Sequence, residues 1–305
     1  MPAKKQARTE KIPEIYFAVA LPAEARPIID YYRLRTVPNS GPFRVYESED
    51  IRLIVSGPGK IPAASAVGFL YAFSGGMRNR IWLNVGIAGH RDFQVGTGVL
   101  AHKITDQSSG QNWYPPIVFD PPCETESVLT VDRPVVYGDG SGGDRFTPVR
   151  LFEPVPSRTV PDAHCVYEME AAGFYDTATR FSTAELVQCY KIISDNRGSS
   201  VKISADFVEK LICDHLNIID TILDRMKPLI SKVIFPEIPD HEFEKFLKHW
   251  HFTVFEQNRL RRLLRQLKTL NPRREIWSPE LESLRTAKNT LHFLEAQIRS
   301  TSVAV

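Results

Sequence analysis

Short apolar runs alternate with glycine-containing turns and helical patterns along the first 230 residues. Residues 15–21 form a continuous apolar run, which is typical of a strand buried on both faces, and Pro22 is placed to begin a helix. Residues 43–47 and 52–55 predict adjacent strands, and residues 80–85 predict another buried strand. Strands that alternate with helices indicate an α/β domain with helices on both faces of the sheet.

The same pattern resumes after an interruption. Residues 106–161 are rich in Pro, Gly, Ser and Asp and predict a long surface excursion. A helix is predicted to begin near Glu168, followed by a strand over 186–193 and a helix over 201–226. Pro228 should end or kink that helix, because proline lacks the backbone donor.

A linker containing Pro236 and Pro239 precedes a helical C-terminal segment. Apolar residues recur there at helical spacing from Phe252 through Phe255 to Leu267, and Arg and Lys occupy much of the remaining helix surface. We predict a flexible N-terminus, a main α/β domain and a helical basic segment, over residues 1–13, 14–235 and 236–305.

The composition is ordinary, but the charge is distributed unevenly along the chain. With 43% hydrophobic and 24% charged residues the chain is typical of a soluble globular protein. The net charge is +2, yet from residue 241 onward 12 Lys and Arg stand against 7 Asp and Glu. A basic helix with an apolar stripe packs on its own domain or a partner more often than on nucleic acid, so we do not predict nucleic-acid binding. No apolar stretch approaches the roughly 20 residues of a membrane span, so no membrane association is predicted.

The cysteines and histidines show no metal or redox spacing. The four cysteines are scattered, which favours a reducing cytosol and predicts a cytoplasmic protein. Basic residues before residues 15–21 would also suit a signal peptide, but Glu14 abuts the run, which favours a first strand. We predict no metal site, and we expect His90 to be a surface loop residue.

Several acidic or glycine-containing segments lie where the predicted strands end. Each has an ordinary structural explanation, such as an acidic first turn for Glu24, a glycine turn for residues 56–60 or a helix cap for Asp195. Their joint occurrence in one order is more informative. In sequence they are Ala20-Leu21-Pro22-Ala23-Glu24, Ser56-Gly57-Pro58-Gly59-Lys60, Asn84-Val85-Gly86-Ile87-Ala88-Gly89, Glu168-Met169-Glu170 and Ile192-Ile193-Ser194-Asp195.

These segments, in this order, resemble the superfamily of purine nucleoside phosphorylases and methylthioadenosine/adenosylhomocysteine nucleosidases over roughly residues 14–230. The resemblance implies a three-layer αβα fold around a central, mixed and twisted sheet. It further implies cleavage of the N-glycosidic bond of a purine nucleoside, without a cofactor, by a protein that forms homo-oligomers.

The resemblance also implies roles for individual residues. Asp195 would protonate the leaving purine and Glu24 would activate the attacking water. Glu170 would accept hydrogen bonds from the ribose hydroxyls, as a carboxylate can from two hydroxyls at once, and Met169 would pack on the sugar. The backbone of Ile87, Ala88 and Gly89 would approach the nucleoside, and Phe152 is a candidate for stacking on the base.

Two departures bear on the nucleophile. Phosphorylases of the bacterial hexameric type usually carry an arginine near the position of Asn84 and a serine at that of Ile87. An apolar side chain neither donates to phosphate nor supplies charge, so hydrolysis is favoured. A phosphorylase that uses another arginine, such as Arg197, and a catalytically silent nucleoside sensor remain alternatives.

Overall fold

The computed structural model of the chain describes residues 14–134, 165–198, 203–232, 239–271 and 275–302. The chain divides into two compact units, Met1–Lys232 and Val233–Val305. None of the described helices is long and apolar enough to cross a membrane.

The described part of the first unit is built around one mixed sheet of ten strands. In chain order the strands are β1 (Ile15–Val19), β2 (Arg35–Thr36), β3 (Arg44–Glu47), β4 (Ile51–Val55), β5 (Ile81–His90), β6 (Gly98–Asp106), β7 (Asn112–Trp113), β8 (Glu124–Thr130), β9 (Val166–Glu168) and β10 (Val187–Asp195). The helices of this unit are α1 (Pro22–Tyr31), α2 (Lys60–Phe73), α3 (Ala171–Ala178), α4 (Ala205–Asp214) and α5 (Leu216–Lys232).

Parallel pairing brings the carboxyl ends of four strands to one edge. Strand β1 lies between β4 and β5, and β5 also pairs in parallel with β10, so that Ala18 lies beside Asn84 and Asn84 beside Cys189. The sheet then closes on itself, because β10 pairs with β6, β6 with β8, β8 with β9, and β9 with β5. Residues that follow β1, β4 and β10 therefore meet near the end of β5.

Helices cover both faces of the sheet. Buried residues of α2 and α3 pack in one cluster with Tyr16 and Trp82. The neighbouring Phe17 points the other way and contacts Tyr32 at the end of α1, which also packs against α4 and α5. A Cβ atom on Gly173 would lie 1.9 Å from the Lys60 carbonyl oxygen, so glycine allows α2 and α3 to touch. The predicted three-layer α/β fold is confirmed.

The prediction of a single helix over residues 201–226 is wrong. Helix α4 ends at Asp214 and α5 begins at Leu216, because His215 between them turns its ring into the sheet. Its Nδ1 lies 2.6 Å from the Tyr190 hydroxyl and its Nε2 lies 2.9 Å from the Gly96 carbonyl oxygen. Nor does Pro228 end the helix. Helix α5 continues past this exposed proline to Lys232.

Two predicted loops contain strands. The glycine segment 86–89 belongs to β5, because β9 and β10 pair with it on opposite sides. The excursion predicted over 106–161 contains β7 and β8, and β8 lies between β6 and β9. The rest of that excursion from residue 135 onward lies outside the described residues.

The described part of the second unit is helical. Its helices are α6 (Asp240–His249), α7 (Val254–Leu270), α8 (Pro279–Glu282) and α9 (Ala287–Ser302). Buried aromatic and leucine side chains form its core, and Arg259 pairs with Glu295 at 2.6 Å. The predicted amphipathic helix is confirmed as α7, but Phe255 lies on its outer face, 76% exposed, instead of in the apolar stripe.

Candidate active site

Glu24 lies in the first turn of α1, directly after β1. Its side chain is buried, and its Oε2 accepts the backbone N–H groups of Ala20 and Leu21 at 2.9 and 2.8 Å. Its Oε1 accepts the N–H of Ile87 on β5 at 3.0 Å. Burial raises the pKa of Glu24, and these backbone hydrogen bonds and the charge of Lys191 act against that rise. Glu24 is thus held over the end of β5.

Lys191 is a fully buried cation in the middle of β10. Its Nζ lies 2.8 Å from Glu168 Oε2 and 3.8 Å from Glu170 Oε2. Burial alone would lower the pKa of Lys191, but the charges of Glu168 and Glu170 raise it above its ordinary value. The surroundings of Lys191 therefore favour its charged form beside the carboxyl groups of Glu168 and Glu170.

Glu168 ties this charge to the start of α3. Its Oε1 accepts the hydroxyl of Thr130 at 2.6 Å, and its Oε2 accepts the backbone N–H groups of Glu170 and Ala171 at 2.9 and 2.8 Å. The residue lies in β9, so the helix predicted to begin near Glu168 begins at Ala171. Glu168 still satisfies N–H groups at the helix start, because its side chain reaches forward.

Glu170 immediately precedes α3 and is also buried. Its Oε1 accepts the N–H of Gly59 at 2.9 Å, which joins the glycine loop after β4 to this part of the site. Burial raises the pKa of Glu170 to about 7; the charge of Lys191 acts against the rise and that of Glu168 adds to it. Glu170 therefore changes its charge close to neutral pH.

Asp195 is the last residue of β10. Its Oδ1 accepts the hydroxyl of Ser194 at 2.7 Å, and the same hydroxyl lies 3.2 Å from the carbonyl oxygen of Ala88. Burial raises the pKa of Asp195, and the hydrogen bond from Ser194 opposes the rise. A carboxyl group with a raised pKa holds its proton nearer neutrality, as a general acid requires.

Two glycines of β5 make room for these carboxylates. A Cβ atom on Gly86 would lie 3.0 Å from Glu24 Oε1 and 3.5 Å from Lys191 Nζ. One on Gly89 would lie 2.9 Å from Asp195 Oδ2. The structure therefore brings Glu24 and Asp195 to one short stretch of β5, and Lys191 connects Glu170 to it.

The remaining residues predicted for the site are Ile87, Ala88, Gly89, Met169 and Phe152. Ala88 is buried and Ile87 and Gly89 are half-buried within that stretch of β5. Met169 is half-buried and packs on a small cluster that includes Leu129 and Tyr167. Phe152 lies outside the described residues, so its stacking role stays a prediction.

His90 is not a surface loop residue. It ends β5, is 3% exposed, and stacks on Phe93 with ring centroids 4.0 Å apart. Its Nδ1 accepts the backbone N–H groups of Asp92 and Phe93 at 3.0 and 2.9 Å, and Asn196 Nδ2 donates to the Phe93 carbonyl oxygen at 2.7 Å. His90 and Asn196 therefore hold the loop beside Asp195. Among the described residues, no group of three or more His, Cys, Asp or Glu side chains is placed to bind a metal ion.

Lys191 and Thr130 are functional candidates that the sequence analysis missed. Lys191 lies between the apolar residues Tyr190 and Ile192 of a buried strand, and a lysine in such a place is rarely buried without a partner. That position could have indicated a buried ion pair. Thr130 carried no comparable signal, because its contact with Glu168 depends on the pairing of β8 with β9.

The raised pKa of Glu170 predicts a pH-dependent stability. In the folded protein Glu170 keeps its proton up to about pH 7, whereas the ordinary value is 4.5. Its contribution to the free energy of unfolding should be fully present below pH 4.5 and be lost as the pH rises to about 7, by about 2 to 3 kcal/mol. The free energy of unfolding, measured by urea denaturation at pH 5 and pH 7.5, tests this loss. Glu170→Gln, which does not titrate, should lose less stability than the wild type over this range, and equal losses would contradict the assignment.

The fold is similar to that of solved nucleosidases. A methylthioadenosine/adenosylhomocysteine nucleosidase of Streptococcus pneumoniae, solved with 8-aminoadenine, aligns with a TM-score of 0.50 and 18% identity over 70% of this chain and 99% of that chain. The Neisseria meningitidis enzyme aligns with a TM-score of 0.49 and 17% identity over 68% and 97% of the two chains. For the 5'-methylthioadenosine nucleosidase of Arabidopsis thaliana the values are 0.49, 15%, 72% and 96%.

No protein-family model matches the sequence, and a search of curated proteins found no match either. At identities this low, the structural likeness establishes the fold. The chain therefore contains the nucleosidase fold, and its chemistry has to be argued from its own side chains.

Proposed function

We propose that the protein hydrolyses the N-glycosidic bond of a purine nucleoside and releases the free base and the free sugar. The observation that carries this proposal is that Glu24 and Asp195 both lie beside the glycine stretch of β5, and that the buried Lys191, beside Gly86, joins Glu170 to them. Glycosidic cleavage requires an acid for the leaving group, groups that stabilise a positively charged sugar, and an activated nucleophile.

Asp195 is the proton donor in this proposal. It is half-buried, its pKa is raised, and its Oδ1 accepts the hydroxyl of Ser194. The other oxygen, Oδ2, faces Gly89, which has no side chain to contact it. Protonation of the base nitrogen converts a poor leaving group into a good one.

Glu170, Glu168 and Glu24 favour the positive charge that develops on the sugar. Three carboxylates surround a single ammonium group, so the site carries more negative than positive charge when all are ionised. This surplus is unfavourable in the free protein and is relieved by a cationic sugar in the transition state. Glu170, with Met169 beside it, would hold the sugar hydroxyls.

Water is the proposed nucleophile because the site has few groups that could bind phosphate. Asn84 is buried and its Nδ2 donates to the Ala18 carbonyl oxygen, and the side chain of Ile87 is apolar. The Lys191 ammonium group is already paired with Glu168. Glu24, which keeps acceptor capacity beyond its three backbone hydrogen bonds, would orient and activate the water.

A nucleoside-binding protein without turnover is the second candidate. The specific observation in its favour is that three backbone N–H groups already occupy the carboxylate of Glu24. If that carboxylate cannot release a hydrogen bond to water, the protein would bind nucleosides without cleaving them. Assembly into a homo-oligomer stays a prediction in either case.

We expect phosphate-independent base release, which one experiment tests. Purified full-length protein is incubated with methylthioadenosine, adenosine and inosine, with and without phosphate, and base and sugar products are quantified by chromatography. Equal release of free base and free sugar in both buffers is expected from at least one substrate. Release only with phosphate, together with sugar 1-phosphate, would establish a phosphorylase. Binding measured by calorimetry without release would favour the nucleoside-binding protein.

A further inference from the structure

We propose that Lys60 is a positioning residue that sets the orientation of Glu170 through the backbone of Gly59. Its importance for turnover rests on the proposed function, whereas its effect on Glu170 does not. Lys60 is the first residue of α2, and Gly59 before it donates its N–H to Glu170 Oε1 at 2.9 Å. Any movement of the start of α2 therefore changes the hydrogen bond that orients this carboxylate.

The side chain of Lys60 anchors the helix start to the ends of two strands. Its Nζ lies 2.7 Å from Asp106 Oδ1, in the last residue of β6, and 2.9 Å from Asp132 Oδ1, just after β8. Asp106 is itself held, because its Oδ2 accepts the hydroxyl of Ser109 at 2.7 Å. The Lys60 side chain is 21% exposed and that of Asp106 is 11% exposed, so water screens this pair less than a surface pair.

The same strand end also holds Glu168. Thr130, the last residue of β8, donates its hydroxyl to Glu168, and Asp132 lies two residues further along the chain. Lys60 thus links the start of α2, which holds Glu170, to the same strand that positions Glu168. Both carboxylates beside Lys191 are therefore placed from one end of β8.

A lysine at this position has no benefit for the helix itself. The N-terminus of a helix carries partial positive charge, so a cation in the first turn is unfavourable, and α2 has no acidic residue in its first turn. The backbone is also constrained, because Gly59 adopts φ +107°, which glycine tolerates, and α3 touches the Lys60 carbonyl group at Gly173. The ion pairs with Asp106 and Asp132 explain why lysine is found here.

The test compares Lys60→Met, which keeps the aliphatic stem, with Lys60→Arg, which keeps the charge. Hydrogen exchange of the Gly59 amide, followed by NMR on the ligand-free protein, should be about 10-fold faster in Lys60→Met, because its hydrogen bond to Glu170 is loosened. Lys60→Arg should restore slow exchange to within about 3-fold. The control is Lys227→Met, which removes the ion pair with Asp224 on the exposed side of α5 and should leave the Gly59 amide unchanged.

Kinetics show whether the effect passes through Glu170. With whichever of methylthioadenosine, adenosine and inosine the wild type cleaves, Lys60→Met should raise KM about 10-fold and change kcat less than about 3-fold, because sugar binding is affected more than base protonation. In a Glu170→Ala background, which has no carboxylate for Gly59, the same substitution should change KM less than about 2-fold.

The outcomes separate the two proposals. Unchanged Gly59 exchange in Lys60→Met, or equal effects of Lys60→Met with and without Glu170, would overturn the positioning role. Faster exchange in a protein that neither binds nor cleaves nucleosides would support the positioning role and contradict the proposed function.

Discussion

Asp195→Asn is expected to lower kcat for an unactivated purine nucleoside by about 100- to 10,000-fold. Asparagine has the shape of aspartate and can keep the contact with Ser194, but it has no acidic proton to transfer to the base. The fold should be unaffected, because Asp195 is the last residue of β10 and lies only partly buried. Initial rates of base release, with circular dichroism as the check on folding, measure the effect.

A substrate with a better leaving group makes this test specific. A 4-nitrophenyl riboside does not need protonation to leave, so Asp195→Asn should slow its hydrolysis far less than that of a purine nucleoside. Asp92→Asn is the matched control, since Asp92 is exposed and lies in the loop that follows β5. An equal loss for both substrates would indicate a binding or structural role for Asp195, and normal rates with the purine nucleoside would exclude it as the acid.

Lys191→Met is expected to lower the free energy of unfolding by about 3 to 5 kcal/mol. Methionine fills much of the space of the lysine stem but leaves Glu168 buried without its cation, 2.8 Å from where Nζ was. The positive charge also acts on Glu170 and Glu24, so its loss should raise the pKa of both carboxyl groups further. Urea unfolding at pH 7.5 measures the change, because ionised carboxylates without a cation destabilise the folded protein most at that pH.

Removing the unpaired charge should recover part of this loss. The double variant Lys191→Met/Glu168→Gln keeps one acceptor oxygen, for either Thr130 or the backbone N–H groups at the start of α3, and no longer buries an uncompensated carboxylate. It should be more stable than Lys191→Met alone. Lys103→Met is the matched control, because Lys103 is a strand lysine that is half-buried in β6. A loss below about 1 kcal/mol in Lys191→Met would show that the ion pair contributes little.

The sequence by itself determined several of the buried strands and the residues at their ends. Continuous apolar runs marked the strands buried on both faces, because such strands have no solvent-facing side. The pattern also showed that Glu24 and Asp195 follow such runs, but the roles proposed for both of them depended on the resemblance. The role of Glu170 depended on the resemblance as well, because no local pattern distinguishes it from Glu168.

Only the tertiary structure decided which strands meet and what they bury. The closure of the sheet through β6, β8 and β9 turns the glycine segment 86–89 into a strand and brings Thr130 to Glu168. The break at His215 follows from a side chain that bonds to β10 and to the loop before β6. The ion pairs of Lys191 and Lys60 likewise join residues that are far apart in the chain. Periodicity reports only neighbours within one element, whereas the burial and charge of these groups depend on contacts between elements.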